Sequence, residues 1–118
     1  MSQSSTGQAE ELMIEADPGA RERLIEFSNA YGDDVDLTEE RGLGGVEILV
    51  LYIGIELIRR SPEIISATAE LVTALKSDGK NPKAVLPDGR QRKNPSADEL
   101  KELLGELLSE SKDENGGR

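Results

Sequence analysis

Residues 42–77 read GLGGVEILVLYIGIELIRRSPEIISATAELVTALKS, and this stretch decides how the rest of the chain must be arranged. It holds 16 of the 33 Val, Leu, Ile, Met, Phe and Tyr side chains of the protein in less than a third of its length, so its burial must supply a large share of the folding free energy. No residue in it identifies a chemical reaction. The stretch is therefore more informative about architecture than about function.

The first part of this stretch, residues 46–60, is rich in Val, Ile and Tyr, which are frequent in buried strands. Its length of 15 residues favours a helix instead, because most strands are much shorter. We predict a helix that is covered on two sides. On a helical wheel its polar side falls within about 100° and is formed by Tyr52, Glu56, Arg59 and Arg60.

A second helix follows after Ser61-Pro62, where Ser61 is expected to cap and Pro62 to take the first helical position. Apolar residues recur at helical spacing from Ile64 to Leu75. Because proline breaks the hydrogen-bond ladder, residues 46–77 form either two helices or one sharply kinked helix.

The segments on either side contain shorter elements. Alternation at 12–16 and again at 34–38 predicts two strands, with a helix between Pro18 and Gly32. Residues 83–86 and 91–93 flank a Pro-Asp-Gly-Arg turn and predict a β-hairpin with a polar edge strand. A capping box at Ser96 and Glu99 then starts a helix with a stripe of leucines.

These elements predict a single α+β domain over residues 11–108. Three to four short strands, in the order β-α-β-α-α-β-β-α, form a small sheet that packs against the helices. Residues 1–10 and 109–118 are predicted to be disordered tails.

Composition excludes several classes of function. The 118 residues include no cysteine and no histidine, so disulfides, thiolate metal sites and nucleophile systems that need histidine are ruled out. The formal net charge of −10 argues against binding to nucleic acid, which depends on cationic side chains. We therefore expect a non-enzymatic protein that folds without a metal or a cofactor.

The sequence resembles two ligand-binding motifs in part and matches neither. In a dinucleotide fingerprint the third glycine position would fall on Glu47, whose carboxylate would face the pyrophosphate. Asp34 and Asp36 begin the spacing of a calcium loop, but Gly45 stands where the glutamate ligand belongs. The glycines of residues 42–45 are better explained by a flexible connection or close backbone packing.

Charge is distributed unevenly along the chain. Residues 10–41 contain 11 acidic and 3 basic side chains, whereas residues 76–93 contain 6 basic and 2 acidic ones. The basic segment is either a docking surface for an anion or acidic partner, including the acidic half of another copy, or a sheet edge protected by charge. A protein partner or a second copy is expected to contact Lys83, Arg90, Arg92, Lys93, Tyr52, Arg59 and Arg60.

The sequence predicts a cytoplasmic location. The first ten residues have no basic flank and no apolar run, so they do not form a secretion signal. The apolar run at 46–58 has 13 residues and two glutamates, whereas a bilayer span needs about 20 apolar residues. One alternative is a membrane-active protein in which helices 46–60 and 63–77 leave the core as a hairpin and insert.

The layout resembles the effector-associated constant components, a family of small bacterial proteins. The resemblance covers residues 11–108 and rests on the glycines of residues 42–45 before the apolar segment, the charged helix end, and Val85-Leu86-Pro87-Asp88-Gly89-Arg90 before the last helix. It implies an adaptor or regulatory subunit that contacts an effector protein of a conflict or signalling system. It implies no catalytic residues.

Overall fold

The computed structural model describes residues 10–32, 35–41 and 43–116, and this part of the chain forms five strands and four α-helices. The elements are β1 (Glu11–Ala16), α1 (Arg21–Tyr31), β2 (Val35–Arg41), β3 (Glu47–Gly54), α2 (Ile55–Arg60), α3 (Glu63–Ser77), β4 (Lys83–Val85), β5 (Gln91–Lys93) and α4 (Ala97–Gly116). Short 3-10 turns at Pro18–Ala20 and Leu43–Gly45 precede α1 and β3.

The five strands form one antiparallel sheet in the order β2-β3-β1-β4-β5. Strand β1 lies at the centre, between β3 and β4. The predicted α+β class is confirmed. The sheet has one strand more than the upper end of the prediction, and the extra strand is β3.

The helix predicted over residues 46–60 is wrong. Residues 47–54 form β3, which is paired on one side with β1 and on the other with β2, and only residues 55–60 are helical. The length argument failed because one continuous apolar run contains two elements that meet at Gly54. The β-branched residues of β3 lose side-chain freedom in a helix and fit a pleated, paired strand better.

Several local signals in the sequence are confirmed. Helix α1 ends before Gly32, as predicted, and the φ of 68° at Gly32 is a positive value that glycine adopts readily; its ψ of −137° differs from that of the predicted left-handed C-terminal residue. The capping box at the start of α4 is formed: the Glu99 N–H donates to Ser96 Oγ (3.1 Å), and the Ser96 N–H donates to Glu99 Oε1 (3.4 Å). The predicted hairpin of β4 and β5 is also present.

The restart at Ser61-Pro62 occurs with a small correction. Helix α3 begins at Glu63, and Pro62 rather than Ser61 is its N-cap. The Ser61 side chain makes no capping hydrogen bond, but its carbonyl accepts from the Ile64 N–H (2.9 Å). Proline therefore separates α2 from α3, as predicted.

Helices α1, α3 and α4 lie side by side on one face of the sheet, with α3 in contact with both of the others. Alternate residues of the strands point towards these helices and form the core with them. Its largest fully buried side chains are Leu12, Ile14, Leu24, Leu49, Leu51, Ile53, Ile58, Ile64, Leu75, Leu86, Leu100 and Leu104.

The structure describes one of the two predicted tails and not the other. Residues 1–9 lie outside the described residues. At the other end, the helical backbone of α4 continues to Gly116, past Ser109, where the sequence predicted a tail to begin.

Candidate protein-binding face

No helix of the described residues packs on the second face of the sheet, and we call it the open face. The strand registers place on it the residues that alternate with the core residues. Its members are Glu11, Met13, Glu15, Asp36, Thr38, Glu40, Ile48, Val50, Tyr52, Lys83, Val85, Gln91 and Lys93.

An apolar strip runs across the middle of the open face, from β3 over β1 to β4. Four of its members, Met13, Ile48, Tyr52 and Val85, are partly exposed, and none of these packs against the core. Val46 continues the alternation at the start of β3 and is 62% exposed. A strip of this kind is unusual on a face that meets only water, because open antiparallel faces normally carry polar residues.

Val50 is the exception within the strip, since it is buried (1% exposed) but lies outside the core cluster that the helices cover. The neighbouring Tyr52 hydroxyl donates to Glu40 Oε2, although Glu40 is paired in the register with Ile48. The tyrosine ring must therefore lie along the strand, over the row of Val50 and Thr38. Thr38 Oγ1 donates to the same carboxylate oxygen (3.1 Å).

Strand β2 forms an acidic flank, which we define as Asp36 and Glu40. The hydrogen bond to Glu40 raises the pKa of the Tyr52 hydroxyl, because it stabilises the protonated hydroxyl that donates it. Burial and the charge of Asp36 raise the pKa of Glu11. Glu11 is paired with Gly54 of β3, which has no side chain to separate Glu11 from Asp36 on β2. Glu40 accepts hydrogen bonds from Tyr52 and Thr38, but neither Asp36 nor Glu40 makes an ion pair with a basic side chain among the described residues.

The opposite edge forms a basic flank, which we define as Lys83 and Lys93. These two lysines are directly paired across β4 and β5, and like charges in that position repel. Lys83 Nζ lies 3.8 Å from Glu15 Oε1. Lys93 is exposed and makes no ion pair within the part of the chain that the structure describes.

A depression of about 290 Å³ opens beside the basic flank, where β1 leaves the sheet at Asp17. Ile48, Lys83 and Lys93 line it together with Asn81 and Asn94. Both asparagines have a left-handed backbone, with φ of 53° and 49°. Asparagine is one of the few non-glycine residues that tolerate this conformation, so these positions shape the wall of the depression.

The sequence-predicted contact residues do not form one surface. Tyr52, Lys83 and Lys93 lie on the open face, whereas Arg59 and Arg60 lie on α2. Arg59 Nη1 contacts Glu56 Oε2 at 2.6 Å.

The two remaining members connect the hairpin to the helix layer. Arg90 contacts Asp88 (2.8 Å) and Glu106 on α4 (3.0 Å), and Arg92 contacts Glu99 on α4 at 3.2 Å. Hydrogen bonds from Arg90, the one from its backbone N–H foremost, hold the pKa of Asp88 below its ordinary value. Both arginines are thus engaged within the chain.

Sequence reasoning missed the apolar strip, namely Met13, Ile48, Val50 and Val85. The signal was present as two interleaved apolar sets in residues 46–53, one for each face of a strand. The helical interpretation merged these two sets into one nearly complete apolar circumference.

The membrane-active alternative depends on a hairpin of two helices at residues 46–77. The helical hairpin that this alternative requires is not formed, because residues 47–54 are β3. None of the helices in the described part of the chain combines the length and apolar character that a bilayer span requires. The described residues also contain no group of three or more carboxylates placed to hold a metal ion.

Comparison with known proteins adds no relative to this picture. No protein-family model, curated protein or solved structure matches the chain.

Proposed function

We propose that the protein is a non-enzymatic adaptor or regulatory subunit whose open face binds another protein. The observation that carries this proposal is the apolar strip on a face without helices. Monomeric proteins seldom expose contiguous apolar patches, and those that are rimmed by charged residues are typical of protein-binding surfaces. Here the rim consists of the acidic and basic flanks.

Tyr52 is the best candidate for the centre of such a contact. Tyrosine is enriched among the residues that dominate binding energy, because its ring gives a large contact area and its hydroxyl a polar anchor. The hydrogen bond to Glu40 fixes the ring along β3 before any partner arrives. A side chain that is already ordered loses less entropy on binding.

The resemblance to the effector-associated constant components names a class of partner. On that basis the partner is an effector protein of a bacterial conflict or signalling system, and the complex is cytoplasmic. The proteins encoded beside this one are the first to test.

Two variants with equivalent chemistry test the proposed surface. Val46 (62% exposed) and Ile25 (40% exposed) are the large exposed apolar residues of the described chain, and only Val46 continues the open face, since Ile25 lies on α1. Val46→Glu should weaken binding to a purified neighbour-encoded protein at least about tenfold, as expected for a charge placed in an apolar contact. Ile25→Glu should leave the dissociation constant unchanged.

Isothermal titration with both variants and with Tyr52→Ala measures these effects. Equal affinities for the wild type, Val46→Glu and Tyr52→Ala would show that the partner uses another surface. Binding lost by Ile25→Glu alone would place that surface on the helix layer.

A further inference from the structure

The two charged flanks of the open face lie on opposite sides of the apolar strip. Strand order puts Asp36 and Glu40 at one edge of the sheet and Lys83 and Lys93 at the other. Among the described residues Asp36, Glu40 and Lys93 make no ion pair, whereas Lys83 lies 3.8 Å from Glu15. A ligand that neutralises the charges of both flanks must have basic groups at one edge and acidic groups at the other.

We propose that this ligand is a second copy of the chain, and that the two open faces pack against each other about a twofold axis parallel to β1. This inference rests on the proposed function, because it concerns the same surface: the second copy occupies the open face when no effector protein is bound, and an effector must displace it. A twofold axis makes one patch serve both subunits, so the patch must be complementary to itself. The open face has that property in charge.

The strand registers define what such an axis would bring together. With the axis over β1, strand β2 faces the partner's β5, and β3 faces the partner's β4. Thr38 then lies over the partner's Lys93, with Asp36 and Glu40 one register row away on either side. Asp36 itself lies over the partner's Gln91, so opposite charges approach one another at both edges from adjacent rows, about 7 Å apart along the strands.

One of the two central rows is apolar in the same arrangement, and in the other row Val50 lies over the partner's Lys83. Tyr52 lies over the partner's Val85, and Met13 meets the partner's Met13 on the axis. Glu15 also meets its own equivalent, but each is close to a Lys83 of its own chain (3.8 Å). Face-to-face sheets normally cross at about 30°, which modifies these pairings without changing which edges meet.

The shape of the depression beside the basic flank also favours this arrangement. It lies beyond the end of β1, towards β4 and β5. The twofold axis brings the partner's Val46, the most exposed large apolar side chain among the described residues, above this region. A depression of about 290 Å³ accommodates a valine side chain.

The area of the face predicts a weak dimer. Four strand spacings of about 4.8 Å and six residue steps of about 3.4 Å, from Val46 to Tyr52, give a face of about 20 Å by 20 Å. Each copy therefore contributes about 400 Å², below the roughly 800 Å² of a standard interface. We expect dissociation constants in the micromolar range or weaker. Repulsion between two chains of net charge −10 is screened beyond about 8 Å at physiological salt.

A charge-exchange experiment tests the proposal by sedimentation equilibrium between about 1 µM and 1 mM. One variant, Lys83→Glu with Lys93→Glu, has two acidic flanks, and the other, Asp36→Lys with Glu40→Lys, has two basic flanks. Each should dimerise at least about tenfold more weakly than the wild type, because like charges then meet at both edges. An equimolar mixture should recover a complex near twice the monomer mass of 12.8 kDa, since the flanks are again complementary.

Two controls keep the result interpretable if a charge variant does not fold. Val46→Glu should weaken the wild-type dimer, and Ile25→Glu should not. Circular dichroism establishes that each variant is folded.

The outcomes divide cleanly. A wild type that stays monomeric up to about 1 mM, a wild-type dimer that the flank variants do not weaken, or a mixture that does not associate would each overturn the inference. A monomeric wild type that still binds another protein through Val46 and Tyr52 would overturn the dimer and leave the proposed function standing.

Discussion

The two faces of β3 have similar side chains and different surroundings. Leu49, Leu51 and Ile53 point towards the helices and are at most 1% exposed. Ile48, Val50 and Tyr52 alternate with them on the open face, outside the core cluster, and of these three Ile48 and Tyr52 are partly exposed while Val50 is buried. The comparison shows that apolar character alone does not distinguish a residue that stabilises the fold from one that is available for binding.

The difference lies in the neighbouring strands. On the covered face, the residues beside Leu51 and Ile53 are apolar, as Leu12, Ile14 and Val35 illustrate, and the charged Glu39 lies beside Leu49 near the start of β3. On the open face, the neighbours become charged within one or two strands, at Glu15, Asp36 and Glu40. A narrow strip with charged sides cannot contribute a second core, but it matches the composition of a protein interface.

The largest expected effect separates the two faces directly. Leu51→Ala should lower the free energy of unfolding by about 2–5 kcal/mol, because it leaves a cavity among residues that cannot close it. Val50→Ala should cost less, since Tyr52 and Thr38 lie at the surface and can move into the vacated space. Urea denaturation at a low protein concentration measures both. A larger loss for Val50→Ala would mean that the open face carries the core of this domain.

An intermediate effect is expected in the hairpin, where basic residues face opposite sides. Arg90→Ala removes contacts to Asp88 and Glu106 and should cost about 1 kcal/mol, as for partly exposed ion pairs. Lys93→Ala should change stability by less than about 0.5 kcal/mol, because the lysine makes no ion pair in the described chain.

Chemical denaturation of the two hairpin variants side by side gives the comparison. Equal losses would contradict the division of this cluster into structural arginines and available lysines. The same division bears on the choice of variants for measuring association. A variant in which the charges of Arg90, Arg92 and Lys93 are all reversed would be a poor choice, since Arg90 and Arg92 support the packing of α4.

The sequence was sufficient where a local signal has a single physical meaning. Gly32, the Ser96–Glu99 box and the Pro-Asp-Gly-Arg turn each specified an element that the structure contains. It was insufficient for residues 46–60, where the meaning of an apolar residue depends on its neighbours in space. A strand that is apolar on both faces and a helix that is apolar around most of its circumference share one composition, and only the pairing with β1 and β2 separates them.

The candidate site was partly predictable for the same reason. Tyr52, Lys83 and Lys93 were identified from residue type and charge, and they do share the open face. Arg90 and Arg92 looked equivalent to Lys93 in the sequence, because Glu106 and Glu99 reach them only through the packing of α4 against the hairpin. The acidic flank was visible only as part of a long acidic segment, without the register that sets it opposite the lysines.

The smallest expected effect concerns Glu11, whose pKa is raised chiefly by burial and further by the charge of Asp36. Below the pH at which glutamate ionises in the unfolded chain, both states hold the proton, and Glu11→Gln should leave stability unchanged. As pH rises, the unfolded chain loses this proton first, so the wild type loses stability relative to the variant until the folded carboxyl has also ionised. At pH 7 Glu11→Gln should therefore be the more stable protein, by an amount that solvent screening keeps below about 1 kcal/mol.

Urea midpoints of the wild type and Glu11→Gln at pH 3 and pH 7 measure this difference. In an Asp36→Asn background the gain at pH 7 should shrink, because the repulsive charge is gone, but it should persist in part, because burial is the larger cause. A gain that is the same at both pH values would assign the effect to packing instead of charge. A gain that vanishes completely with Asp36→Asn would make repulsion, and not burial, the reason that the open face resists a further negative charge.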